Sequence, residues 1–140
     1  MTLDGLRTLC VGGFKGSSSR NSIMDAVADA VARAEGAGLR GDLWVDGSFL
    51  TRTWNPDDAD LLLAVCGTEC DVADNHGVLK TWLGDCDNTP CDAYVWYRYP
   101  EGHPQHYDSS TKRVYWHHQF GLSRSNQPKG IAILTVGGGL

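Results

Sequence analysis

Two aspartates near the middle of the chain, Asp58 and Asp60, have the type and spacing that metal chemistry needs. They open an apolar run at residues 59–65, which predicts a buried strand. Because side chains alternate along a strand, two carboxylates two residues apart point to the same face. Magnesium prefers carboxylates together with substrate phosphate oxygens. The pair is therefore suited to holding Mg²⁺ together with a nucleotide.

A Gly-Ser pair, Gly47 and Ser48, stands ten residues before these acids and directly follows a short apolar run at residues 43–45. Glycine allows the backbone to approach a ligand closely, and the free amides and serine hydroxyl of such a turn can cradle phosphate oxygens. Most Gly-Ser pairs are ordinary turns. A phosphate-binding role is favoured for this pair because the two aspartates follow it.

A third carboxylate, Asp92, lies at the start of the aromatic-rich run at residues 91–99, which predicts another strand. If that strand lies beside the one carrying Asp58 and Asp60, Asp92 completes a cluster of three acids. The alternative interpretation is that Asp92 faces solvent at a strand edge and that the earlier acids belong to a Pro-Asp turn. The sequence leaves both interpretations open.

The elements that must position these residues are predicted from periodicity. Residues 22–35 have apolar positions at helical spacing, with Ser19 or Asn21 as the cap, and residues 70–83 predict a second helix. Arg20, at the start of the first helix, is expected to be exposed or to have an anionic partner. A further strand is predicted at residues 131–136.

The remaining segments are predicted to be irregular. Residues 1–18 are expected to form a flexible lead-in, residues 100–111 an exposed loop and residues 137–140 a loose tail. With 140 residues, the chain fits one domain spanning residues 1–140.

Composition excludes some classes of function. No apolar run approaches the roughly 20 residues needed to cross a bilayer, so no membrane span is expected. The N-terminus does not look like a signal peptide, which favours a cytoplasmic protein. The net charge of -5 disfavours binding to duplex DNA. Basic residues do gather late in the chain, which is typical of a solvated face. Homo-oligomerisation stays open.

Cysteine and histidine offer a different kind of metal site. The five cysteines are an odd number, which argues against a disulfide framework and favours reduced structural thiols. Their spacings lack the usual two-residue zinc knuckles, and the four late histidines show no clear ligand spacing. A metal-binding or structural domain built on Cys and His is nevertheless kept as a third hypothesis.

The chain resembles the nucleotidyltransferase superfamily that includes DNA polymerase beta, the minimal nucleotidyltransferases and the tRNA nucleotidyltransferases. The resemblance rests on Gly47-Ser48 followed by Asp58-x-Asp60 and an apolar strand. More closely, the chain is similar to an uncharacterised bacterial and phage family of nucleotidyltransferase-like proteins. The residues that carry this closer match are Leu43 to Phe49, Thr51, Pro56, Trp116, Phe120, Gly121, Arg124 and Pro128 to Ile131.

The resemblance implies an α/β (α+β) fold, with a mixed central β-sheet flanked by helices as in a minimal nucleotidyltransferase. It implies that Gly47 and Ser48 hold a nucleoside triphosphate and that Asp58, Asp60 and Asp92 hold two Mg²⁺ ions. Asp92 would also be the candidate base. Arg52, Arg124 or Lys129 would offset the triphosphate charge, and the resemblance favours Arg124 and Lys129 among them.

The implied reaction is transfer of a nucleotidyl group to a hydroxyl of a protein or RNA acceptor. The chain has no residues left for the helical domain that larger superfamily enzymes add, so its loops or a partner must select the acceptor. The alternative function is a nucleotidyltransferase-fold binding or regulatory module with little turnover, such as an antitoxin-like protein or a defence-system partner in toxin-antitoxin or phage defence.

Overall fold

A four-stranded mixed β-sheet organises the chain in the computed structural model, which describes residues 1–121 and 131–140. The strands are β1 (Gly41–Asp46), β2 (Ala59–Cys66), β3 (Cys91–Arg98) and β4 (Ala132–Val136), in the spatial order β3-β2-β1-β4. β1 pairs antiparallel with both β2 and β4, whereas β2 and β3 run parallel. The prediction of a mixed sheet flanked by helices is confirmed.

Five α-helices surround the sheet in the described residues. They are α1 (Leu3–Arg7), α2 (Arg20–Gly36), α3 (Gly67–Ala73), α4 (His76–Cys86) and α5 (His106–Gly121). Apolar side chains of α1, α2 and α4 pack on one face of the sheet and form the larger core. On the opposite face, Phe120 and Trp116 of α5 pack against Trp44, Leu62 and Trp96. Both faces of the sheet are therefore covered.

The helix predicted at residues 22–35 and the predicted strands are confirmed with shifts at their ends. The helix predicted at residues 22–35 lies within α2, and Ser19 is its N-cap residue by position, although its side chain makes no capping hydrogen bond. The helix predicted at residues 70–83 is two helices instead. The break falls at Asp74, whose φ of 53° is left-handed.

The expected flexible lead-in over residues 1–18 is wrong for most of that segment. α1 is followed directly by a π-helical turn at Thr8–Gly12, and Leu6 and Cys10 are buried against the main core. Leu3, Leu6 and Cys10 recur at helical spacing, which indicates a helix. The pattern was missed because the segment is short.

The exposed loop expected over residues 100–111 is also partly wrong, because α5 begins at His106. The first turn of the helix is fixed by contacts with β3 and the residue after it. The Trp96 indole donates to the Ser109 carbonyl at 3.1 Å, and the Tyr99 amide donates to the Ser109 hydroxyl at 3.2 Å. A polar sequence thus becomes helical through partners 10 and 13 residues away.

No helix within the described ranges is both long and apolar enough to cross a membrane.

Candidate metal and nucleotide site

The parallel pairing of β2 and β3 brings the three predicted acids together. Asp60 and Asp92 are each the second residue of their strand and lie opposite each other in the register, and Asp58 lies two residues before Asp60. Oxygen atoms from Asp58, Asp60 and Asp92 lie within 4.8 Å of one another. The structure thus brings Asp92 beside Asp58 and Asp60, which is one of the two interpretations that the sequence left open, and the roles of the three acids in binding stay predictions.

This cluster is distinctive among the residues that the structure describes. No other set of three or more His, Cys, Asp or Glu side chains there is placed to share a cation. Asp58 and Asp60 are half-buried, and Asp92 is exposed. Asp58 and Asp60 are therefore partly enclosed by the fold, whereas Asp92 is accessible to a ligand.

Asp46 is a fourth acid that our sequence reasoning did not assign. It ends β1, lies opposite Asp60 in the antiparallel register and is only 1% exposed. Asp46, Asp60 and Asp92 thus form a row across three adjacent strands, on the same face. Asp46 immediately precedes Gly47-Ser48 in the sequence, and this position could have identified it as a candidate site residue.

The Gly47-Ser48 turn lies directly against this row. Gly47 has a φ of 91°, and Ser48 begins a 3-10 turn at Ser48–Leu50. A Cβ atom at Gly47 would lie 3.1 Å from the Asp60 amide nitrogen and 3.3 Å from Asp60 Oδ2. The Ser48 hydroxyl donates to the Asp58 carbonyl oxygen at 3.4 Å. The predicted turn and the predicted acids therefore share one location.

Arg20 holds the segment that follows the turn. Its side chain is 1% exposed, and its guanidinium carbon lies 3.6 Å from the centre of the Phe14 ring. The guanidinium donates to four backbone carbonyl oxygens at 2.6 to 2.8 Å, those of Cys10, Phe49, Thr51 and Thr53. Both expectations for Arg20, exposure or an anionic partner, are wrong. Carbonyl dipoles take the place of an anion, and burial lowers the pKa of Arg20.

The predicted cationic residues are less clearly placed. Arg52 is exposed in the segment between the 3-10 turn and β2. Arg124 and Lys129 lie outside the described residues. The triphosphate role of all three stays a prediction.

An aromatic wall lies next to the acids on the same face of the sheet. Tyr94 follows Asp92 by two residues in β3, and its ring centre lies 5.5 Å from that of Trp116 in α5. Burial raises the pKa of Tyr94, and the carboxylates of Asp60 and Asp92 raise it further.

A separate cleft of about 390 Å³ opens at the β3 edge, and Trp116 contributes to its wall. In this cleft Asp71 pairs with the imidazole of His76 at 2.8 Å and accepts a hydrogen bond from the Tyr99 hydroxyl at 3.2 Å. The volume is within the range of small-molecule sites. Sequence reasoning missed this cleft because its lining comes from α3, α4, β3 and α5.

Residues 1–135 match DUF6932, a family of unknown function. The chain belongs to DUF6932. The match spans the Gly47-Ser48 turn and all of the aspartates described above, so the candidate site lies wholly inside the DUF6932 region. The search of curated proteins found no match, and the search of solved structures found none either.

Proposed function

We propose that this protein is a magnesium-dependent nucleotidyltransferase that transfers a nucleotidyl group from a nucleoside triphosphate to a hydroxyl of a protein or RNA. The observation that carries the proposal is the cluster of Asp58, Asp60 and Asp92, whose oxygen atoms lie within 4.8 Å of one another beside a glycine turn. The sequence resemblance to nucleotidyltransferases points to the same chemistry.

The donor set fits hard cations. Carboxylate oxygens are the ligands that Mg²⁺ takes from proteins when substrate phosphates complete its shell. Three carboxylates in this space repel one another unless a cation or a proton intervenes. When bound, Mg²⁺ would supply positive charge that offsets the negative charge of the triphosphate. The residues that would hold it are Asp58, Asp60 and Asp92.

The protein's own groups have separable roles in this proposal. Backbone amides of the Gly47-Ser48 turn bind the triphosphate, because glycine leaves them accessible. The acceptor oxygen attacks the α-phosphorus, the bond from that phosphorus to the α-β bridging oxygen breaks, and pyrophosphate leaves. Asp92, the exposed acid, takes the proton of the acceptor hydroxyl.

The alternative function is a nucleotidyltransferase-fold binding or regulatory module, antitoxin-like or part of a defence system. The observation that favours it is the surface of α5, where Tyr107 is 79% exposed and Val114 is 73% exposed. Exposed apolar side chains of this kind are common where a protein partner binds.

The test compares Asp58→Asn and Asp60→Asn with Asp57→Asn, which is a matched control because Asp57 is exposed and lies outside the cluster. We expect wild-type protein and D57N to bind one or more of the four Mg²⁺-nucleoside triphosphates in calorimetry. They should also label an acceptor in extract from radiolabelled nucleotide. D58N and D60N should lose at least about 100-fold in affinity, since each lacks a charged metal ligand.

Labelling that persists in D58N and D60N would contradict the proposal. Absence of nucleotide binding in the wild type, together with tight association with another protein, would instead support the binding-module alternative.

A further inference from the structure

Three aromatic side chains are in mutual contact on the face of the sheet that carries the acids, and we call Tyr94, Tyr115 and Trp116 the aromatic platform. The Trp116 ring centre lies 5.5 Å from that of Tyr94, with the rings inclined at 48°, and 4.8 Å from that of Tyr115, with the rings at 71°, so Tyr94 and Tyr115 each offer a separate ring face. Trp116 is anchored from behind, because it packs against the smaller core and its ring centre lies 5.9 Å from that of Phe120. The platform therefore joins β3 to α5 through a fixed central ring.

The outer rings of the platform are open to solvent. Tyr94 is 45% exposed and Tyr115 is 52% exposed, although the core beneath them is buried. Rings whose only task was to cover that core would be expected to lie deeper, because burying an aromatic ring is strongly favourable. Their exposure leaves aromatic surface available to a planar ligand.

The distance between the platform and the acids indicates which part of a ligand the platform would bind. Tyr94 lies two residues from Asp92 on the same face of the same strand, a separation of about 7 Å along the strand. In a nucleoside triphosphate, one ribose separates the α-phosphate from the base. A base attached to phosphates at Asp58, Asp60 and Asp92 can thus reach the platform.

We propose that the aromatic platform stacks the base of the nucleoside triphosphate. This inference rests on the proposed function, since it takes the carboxylate cluster as the place of the phosphates. Stacking needs only the flat face of a base, and every base has one. The platform therefore accepts all four bases, and purines bind more tightly because their rings are larger.

The experiment separates base binding from phosphate binding. Calorimetry in Mg²⁺ measures the dissociation constants of the nucleoside triphosphates and of inorganic tripolyphosphate, which has no base. Tyr94→Ala and Tyr115→Ala should each weaken nucleotide binding by about tenfold, the loss of one stacking contact. Binding of tripolyphosphate should be unchanged, which also shows that each variant is folded.

Two control variants test whether the loss of nucleotide affinity comes from losing a ring of the aromatic platform. Tyr94→Phe keeps the ring and should bind nucleotide as the wild type does. Tyr107→Ala removes another exposed tyrosine of α5, eight residues from Tyr115, and should have no effect.

Each remaining outcome has a definite meaning. Nucleotide affinity that stays unchanged in Y94A and Y115A, or a Y94F variant as weak as Y94A, would overturn the platform while leaving the proposed function intact. Equal losses of nucleotide and tripolyphosphate would also overturn it, because the substitution would then act through the acids. Wild-type protein that binds neither ligand would overturn the proposed function and the platform together.

Discussion

At the scale of single residues, the site combines side chains that the sequence predicts with side chains that it does not. Asp58, Asp60 and Asp92 were predictable because each acid stands at the head of an apolar or aromatic run. Arg20 was not, because three of the carbonyls it binds lie 29 to 33 residues away. A buried arginine that relies on backbone acceptors leaves no pattern in the sequence around it.

Replacing Arg20 tests its role as a support for the turn. Arg20→Met keeps most of the volume but removes every donor, leaving the carbonyls of Cys10 and Phe49 buried without a donor from this side chain. We expect the free energy of unfolding to fall by at least about 2 kcal/mol, which urea denaturation measures.

The control is Arg7→Met, because Arg7 is half-buried and makes only a partly exposed ion pair with Asp25 at 3.0 Å. That change should cost less than about 1 kcal/mol. Similar losses in the two variants would show that the four hydrogen bonds of Arg20 are not a special source of stability.

At the scale of elements, the pairing register of the strands decides which side chains meet at the candidate site. β2 and β3 were predictable from composition, but their parallel pairing was not, since it depends on how α3 and α4 cross between them. A register slip of one residue would turn Asp92 to the opposite face. The start of α5 was missed because its first turn is stabilised by Trp96 and Tyr99 rather than by its own apolar residues.

Replacing Gly47 tests whether the turn and the acids form one unit. Gly47→Ala adds a Cβ in a left-handed conformation and brings it against Asp60. Gly38→Ala is the matched control, since its φ is 78° and a Cβ there meets nothing within 4 Å. Both changes should cost at least about 1 kcal/mol of stability through backbone strain, and G47A should cost more because its Cβ also lies 3.1 Å from the Asp60 amide nitrogen.

Only G47A should weaken binding of Mg²⁺-tripolyphosphate, by about tenfold, because only there does the added atom displace a proposed metal ligand. Calorimetry measures the affinity, and denaturation measures the stability of the same samples. Equal affinities in G47A and G38A would show that the contact with Asp60 has no part in binding.

At the scale of the whole molecule, helices cover both faces of the sheet and bury four of the five cysteines, all of them free thiols. The resemblance to nucleotidyltransferases implied the mixed sheet, and the odd number of cysteines indicated reduced thiols. The ordered N-terminus was not predicted, because α1 becomes stable only when Leu6 and Cys10 are buried against elements far along the chain.

This burial predicts how stability depends on pH. Burial raises the pKa of the Cys70 thiol from 9.0 to about 11, and the acids Asp71 and Glu69 add to the effect. The unfolded chain loses the Cys70 proton before the folded protein does. The free energy of unfolding should therefore be unaffected by this thiol below about pH 9 and should decrease as the pH rises towards 11.

Denaturation at a series of pH values measures the slope, to which Cys70 contributes at most about 1.4 kcal/mol per pH unit. Cys70→Ala should have a shallower slope than the wild type over the same interval. Identical slopes would mean that Cys70 ionises alike in the folded and unfolded states.

The parallel pairing of β2 with β3 also has a consequence for synthesis of the chain. β1 and β2 are antiparallel neighbours in the sequence, so Asp46 and Asp60 can come together as soon as β2 has left the ribosome. Asp92 can join them only after α3 and α4 have been made and have folded back across the sheet. Non-local strand pairing of this kind is slow to form. We therefore expect the nascent chain to complete the cluster of Asp58, Asp60 and Asp92 late, after much of its core has formed.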